Sequence, residues 1–227
     1  MIETRAELIK DLVADLKPVA RAGDTRRALA LWLALAAPYT AAVALLTGDL
    51  RSGVLTAFTS SPAAALEALA AIVAIGALAH AALRTAVPGG PGLARQLAVP
   101  LAALAAWVAF YVVALWQPVP PAALLGGRTH CFWQTLLFSL PNLALLLWFA
   151  RRLMPLSPRA TAAAAAAAAT ALPAALVQLS CVSEPAHALS HHLAPIAITA
   201  VAVGLLGGFV LTRRAALPRK HRVVTLH

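Results

Sequence analysis

Residues 62–83 read PAAALEALAAIVAIGALAHAAL, an apolar run interrupted by a single charge, Glu67, and one histidine, His80. A bilayer hydrocarbon core of roughly 30 Å is crossed by about 20 helical residues at 1.5 Å rise each, so this run is long enough to span it. Five further blocks of the same kind lie at 29–47, 97–116, 131–150, 160–180 and 191–212, and the charges fall in the gaps between them. A backbone surrounded by lipid satisfies its polar groups only as helix or closed barrel, and blocks of this length are helices. With 61% apolar and 11% charged residues, the chain has no polar stretch large enough for a separate soluble domain. The expected fold is all-α: a polytopic membrane protein of six transmembrane helices. Residues 1–28 form a polar N-terminal segment, 29–212 the membrane domain and 213–227 a basic tail.

Orientation is read from the gaps. Lysine and arginine number 16 in residues 1–28, 84–96, 151–159 and 213–227 together, against Arg51 and Arg128 alone in the other three gaps. Positive loops stay in the cytoplasm, so both termini are expected inside a bacterial inner membrane. The net charge of +10 is thereby a matter of topology, and no direct contact with nucleic acid is expected. Residues 1–28 contain five acids and are too long for the leading region of a signal peptide, so the first block reads as a retained anchor.

Short Pro/Gly-rich connections, such as Val87-Pro88-Gly89-Gly90-Pro91-Gly92, predict that successive helices are antiparallel neighbours. Pro38, Pro100, Pro141, Pro173 and Pro195 lie inside five of the blocks and remove backbone donors there. Eight consecutive alanines, 162–169, make the fifth helix weakly hydrophobic, a helix expected to insert with the help of close neighbours. Gly204 and Gly208 form a small-xxx-small pair in the sixth. Glu67 is the one acid within a block, and intramembrane acids are functional candidates by default.

Both cysteines belong to the end of the bundle opposite the basic gaps. Cys131 opens the fourth block and Cys181 follows the fifth, with 20 and 21 residues respectively separating them from Arg151 and Ala160 of the intervening loop. Their depths match within about 2 Å. Neighbouring helices pack roughly 8–10 Å apart, beyond the Cα separation of under about 7 Å that a disulfide needs, so a bridge requires tilting or unwinding of the ends. Two readings stand: a redox pair in an oxidising compartment, or two small apolar residues that end helices. His130, His187, His191 and His192 gather nearby, with His187 and His191 four apart on one helix face. Thiolate with imidazole suits zinc or copper(I), yet no tight ligand motif is present. His130, His187 and His191 are the metal candidates.

The N-terminal segment is amphipathic. Leu8, Ile9, Leu12, Val13, Leu16 and Val19 recur at helical spacing, and Glu3, Glu7, Asp11 and Asp15 form an acidic row beside them until Pro18 ends the pattern. Surface-seeking helices carry basic polar faces, so an acidic row points to a protein partner with a positive surface.

The run Ala6-Glu7-Leu8-Ile9-Lys10-Asp11-Leu12, continued by Asp15-Leu16-Lys17-Pro18-Val19, resembles the N-terminus of NrsF-type membrane anti-sigma factors. The Pro-Gly loop after the second helix, the six-helix layout and the cysteines near the fourth and fifth helices resemble that family too. The resemblance implies a cytoplasmic N-terminus that holds an extracytoplasmic-function sigma factor at the membrane. Its binding positions would be Asp11, Leu12, Leu16 and Pro18, with Leu8 and Asp15 from the same two stripes. It further implies that Cys131 and Cys181 take part in release under oxidative or heavy-metal stress, with no resident cofactor beyond transient heavy-metal binding. The resemblance carries no assignment for the run from His187 to His192. The cytoplasmic part also lacks the His/Cys site of zinc-binding anti-sigma factors.

A transporter or metal permease is the competing class, but its path would need polar residues repeated along the helices, and only Glu67, Asn142 and Gln178 are available. A haem-b carrier needs histidines facing each other at one depth, whereas His80 and the other histidines sit at different ends. No G-x-S-x-G or H-E-x-x-H string supports an intramembrane protease.

Overall fold

The computed structural model describes residues 5–14, 23–47, 61–118, 130–179 and 184–212, and every regular element among them is helical. A short helix α1 (Arg5–Ala14) precedes six long ones: α2 (Thr25–Leu46), α3 (Pro62–Arg84), α4 (Leu93–Ala114), α5 (Cys131–Arg152), α6 (Pro158–Gln178) and α7 (Pro185–Leu211). All six are long and apolar enough to cross a membrane. Four of the six helices begin two to six residues ahead of their apolar blocks, since hydropathy alone does not set where a helix starts. Asp24 accepts from the Arg26 N–H at 2.8 Å and starts α2 four residues before its apolar block. Ser61 caps α3 and is followed by Pro62 at the first helical position, where a missing N–H costs nothing. Helix α7 begins six residues ahead of its block, at Pro185, and so takes in His187 beside His191 and His192 of the block itself.

The alanine-rich α6 is the central helix. Buried residues make up 72% of its span, against 17–44% in the other five, and it packs against α2, α3, α5 and α7. Around it the usual arrangement of side chains is inverted: Leu69, Ile72, Val99, Val201, Leu205 and Phe209 are exposed, while alanine fills much of the interior. That arrangement suits a bundle whose surroundings are as apolar as its core. Successive helices are neighbours as expected except for α4 and α5, which do not pack together; α4 instead meets α3 and the first turns of α7.

The close approach of α6 and α7 corrects the reading of the glycines. A Cβ on Gly207 would lie 2.6 Å from the Pro158 carbonyl oxygen, 2.8 Å from the Arg159 Cα and 2.9 Å from the Ala162 Cβ. Gly204 is nearly as tight, 3.0 Å from the Ala163 Cβ, whereas Gly208 has open space. The contact pair is Gly204 and Gly207, because rows three apart as well as four apart line a helix face, and only packing sets which one meets the neighbour.

Buried polar groups tie the helices together. The Thr85 and Thr161 hydroxyls lie 3.0 Å apart between α3 and α6, and Thr170 and Thr199 lie 2.8 Å apart between α6 and α7. The Asn142 side-chain amide donates to Thr40 at 2.9 Å, and the Trp32 indole N–H donates to the Asn142 carbonyl at 3.0 Å, fixing α5 to α2 beside Pro141. At the basic end the α5–α6 connection turns through Met154, whose φ is 63°. Buried Leu153 there lies 3.1 Å from where a Gly23 Cβ would stand, so the entry to α2 rests on this connection.

Gly207→Ala should lower bundle stability by about 1–3 kcal/mol, the usual cost of overpacking, and Gly208→Ala should leave it unchanged. Thermal or denaturant unfolding in one detergent would check the order; equal effects at both positions would contradict the packing described.

Candidate functional site: a thiol and two imidazoles at one end of the bundle

Helix α7 does not start as a plain α-helix. Residues Ala188–Leu193 form a π-helical turn in which the Ala194 N–H bonds back five residues to the Leu189 carbonyl. Pro195 explains it: with no N–H of its own and a ring that crowds the carbonyl four residues back, it disfavours the α register just before it. The wider turn changes which side chains share a face. In an α-helix His187 and His192 would point about 140° apart; here they converge on the buried Cys131, which begins α5. The Cys131 sulfur and one ring nitrogen from each of His187 and His192 all lie within 4.8 Å of one another. π-turns of this kind often mark functional sites.

The histidines expected to bind metal are therefore sorted anew. His187 belongs to the cluster. His191 stacks on His187, ring centroids 4.3 Å apart at 10°, and its Nδ1 is 2.8 Å from the Ser190 hydroxyl, outside the convergent set. His130 is exposed, one residue ahead of α5. His192, which the i, i+4 reading passed over, is fully buried, and its ring nitrogens have no hydrogen-bond partner beyond the Cys131 thiol. The His187 Nε2 is likewise buried without one. The only advance signal for this arrangement was a proline three residues after a pair of histidines. Cys181 lies outside the described residues, three positions beyond the end of α6. Leu8, Asp11 and Leu12 fall on α1, while Asp15, Leu16 and Pro18 lie outside the described residues.

Glu67 is part of a second polar group at the same end. Its Oε1 accepts from the Tyr111 hydroxyl of α4 and, at 2.5 Å, from the Gln178 amide of α6. The carboxyl borders an apolar cleft between α3 and α6, lined by Ala71, Ile72, Ala175 and Leu179 among others. One acid thus joins three helices, and its chemistry is that of a cross-tie.

The family described as negative regulator of sigma F, NrsF, matches residues 12–213. The chain belongs to this family. No curated protein and no solved structure matches it. The NrsF match takes in Leu12, Asp15, Leu16, Pro18, both cysteines, the three clustered residues and all six long helices. Its description is that of a regulator acting on a sigma factor rather than of an enzyme.

Replacing Glu67 with leucine should cost about 1–3 kcal/mol, since the Tyr111 and Gln178 donors lose their acceptor. Glu67→Gln, which keeps a carbonyl oxygen there, should retain most of the stability. Equal unfolding midpoints for Glu67→Leu and the unaltered protein would refute the cross-tie.

Proposed function

We propose that this NrsF-family protein holds an extracytoplasmic-function sigma factor at the cytoplasmic face of a bacterial inner membrane. In this reading residues 1–28 do the holding, and release follows when Cys131 and Cys181 respond to oxidative or heavy-metal stress. The observation that carries the reading is the family match, which begins inside the amphipathic segment and runs through the last long helix. The described part of α1 fits a docking role, since Ile9 and Val13, four residues apart on one face, are 52% and 59% exposed. The 16-to-2 partition of basic residues supports placing that segment in the cytoplasm. Leucines on the stripe would bury about 1.5–3 kcal/mol each against a groove, and the acidic row would steer docking onto a positive surface. The burial of Cys131 in the cluster with His187 and His192 favours a signal read through a defined environment rather than through a loose surface thiol.

Leu12→Asp or Leu16→Asp removes that burial and places a charge in the groove. The expected loss is at least about 2.8 kcal/mol, roughly a hundredfold in Kd, with target genes constitutively on. A variant lacking residues 2–19 that still retains the sigma factor in the membrane fraction would overturn the proposal.

For the signal, Cys131→Ser and Cys181→Ser together should abolish induction by oxidant or cadmium, with sigma retention at rest unchanged. Normal induction in the double variant would remove the cysteines from the mechanism.

A further inference from the structure

The cluster at the start of α7 has the composition of a metal site that the family description does not mention. We propose that Cys131, His187 and His192 bind a single borderline-soft dication of the zinc and cadmium type, as a three-ligand site with one position open. The inference deepens the reading above, from which it takes Cys131 as the sensing residue.

Three observations carry it. The donor atoms, one sulfur and two imidazole nitrogens, lie within 4.8 Å of one another although they come from helices separated by more than fifty residues of chain. Three imidazole nitrogens of His187 and His192 are buried with no hydrogen-bond partner outside the cluster, so the lone pair of each neutral ring competes only with the Cys131 thiol it would share a metal with. The π-turn of α7 is the feature that turns His192 inward, and without it the two rings would not face the thiol together. A sulfur and two imidazole nitrogens are also the donor set that zinc-type cations prefer over magnesium or calcium.

The fit requires a small contraction. Zinc at about 2.3 Å from sulfur and about 2.0–2.1 Å from nitrogen puts tetrahedral ligand atoms roughly 3.3–3.7 Å apart. The present spread of up to 4.8 Å would close by about 1 Å, and a larger cation would need less. On binding, the Cys131 thiol loses its proton to water and a sulfur–metal bond forms; both histidines bind as neutral imidazoles, with no change of oxidation state. Three ligands among the described residues leave a fourth position for water, the arrangement of a site that exchanges its metal rather than a closed structural one. Metal on Cys131 and a disulfide through Cys131 are mutually exclusive, so the two stress signals would converge on one sulfur.

The test uses the full-length protein, purified reduced in detergent, stripped with chelator and titrated with Cd2+ and with Co2+. Thiolate-to-metal absorbance and elemental analysis should give one ion per chain. Cys131→Ser should abolish the absorbance, and His187→Ala and His192→Ala should each weaken binding at least about tenfold. His191→Ala and Cys181→Ser should bind like the unaltered protein. Helicity and melting of each variant, measured without metal, separate lost ligands from a lost fold. In cells, His192→Ala should retain the sigma factor at rest and lose only induction by cadmium. Absence of thiolate absorbance in the unaltered protein, unchanged affinity in both histidine variants, or loss of binding in Cys181→Ser would overturn the site. Metal binding as described, alongside sigma retention in the variant lacking residues 2–19, would instead overturn the proposed function and leave the site standing.

Discussion

Helix α6 has nothing larger than a methyl group along 162–169, and the bundle is organised by how close its neighbours can therefore come. Between apolar helices in an apolar medium there is little hydrophobic drive to associate. What remains is contact area, interhelical hydrogen bonds and the absence of large side chains in the way. Alanine on α6 and glycine at 204 and 207 on α7 supply the first and third terms: the backbone of α7 rests on the first turn of α6 with no room for a Cβ at Gly207. Larger residues on α2, α3 and α5 then fill the outer spaces, with Trp32, Leu83 and Leu146 fully buried.

Hydrogen bonds supply the second term and give the packing its register. Methyl surfaces slide over one another with little change in energy, whereas the paired hydroxyls of Thr85 with Thr161 and Thr170 with Thr199 fix the axial position of α6 against two helices. The Asn142 contacts do the same between α5 and α2, and Glu67 ties α3 to α4 and α6. Interhelical bonds of this sort are worth about 0.6–2 kcal/mol each in a membrane. The cluster of Cys131, His187 and His192 differs in composition, since it brings a thiol and two imidazoles together with ring nitrogens that have no partner outside it.

How much of this a sequence can show depends on whether the property is one-dimensional. Six spans were legible because hydropathy and basic gaps are summed along the chain, and α6 was legible as a closely packed helix because alanine alone implies it. The phase of a helix against its neighbour is not so encoded, which is why Gly208 was taken for Gly207. His192 was hidden by a change of period: the 3.6-residue repeat points it away from His187, and only the π-turn before Pro195 brings both inward. The partners of Glu67 come from α4 and α6, 44 and 111 residues further along the chain, beyond any local pattern. Of the NrsF-like docking positions, the sequence alone gives the stripe, and the described structure adds only the exposure of Ile9 and Val13 beside it.

Under the proposed function, an event at Cys131 has to be felt at the other end of α5, and the geometry limits how. Asn142 lies eleven residues from both Cys131 and Leu153, about 16 Å along the helix in each direction. Its bonds to Trp32 and Thr40 hold α5 to α2 at that midpoint. If α5 moves as a rod, it pivots there, and a shift of about 1 Å at the thiol becomes a comparable shift at Leu153, which packs beside Gly23. If instead it bends at Pro141, the same two bonds drag α2 with it. Both routes end on α2, the helix that continues directly from the N-terminal segment. The two Asn142 bonds together transmit about 1.2–4 kcal/mol before they break, less than the roughly 5.5 kcal/mol needed to move a population from 1:99 to 99:1. Coupling through these ties alone therefore corresponds to a change of at most about 10–1,000-fold in partner affinity, a graded release rather than an all-or-none one.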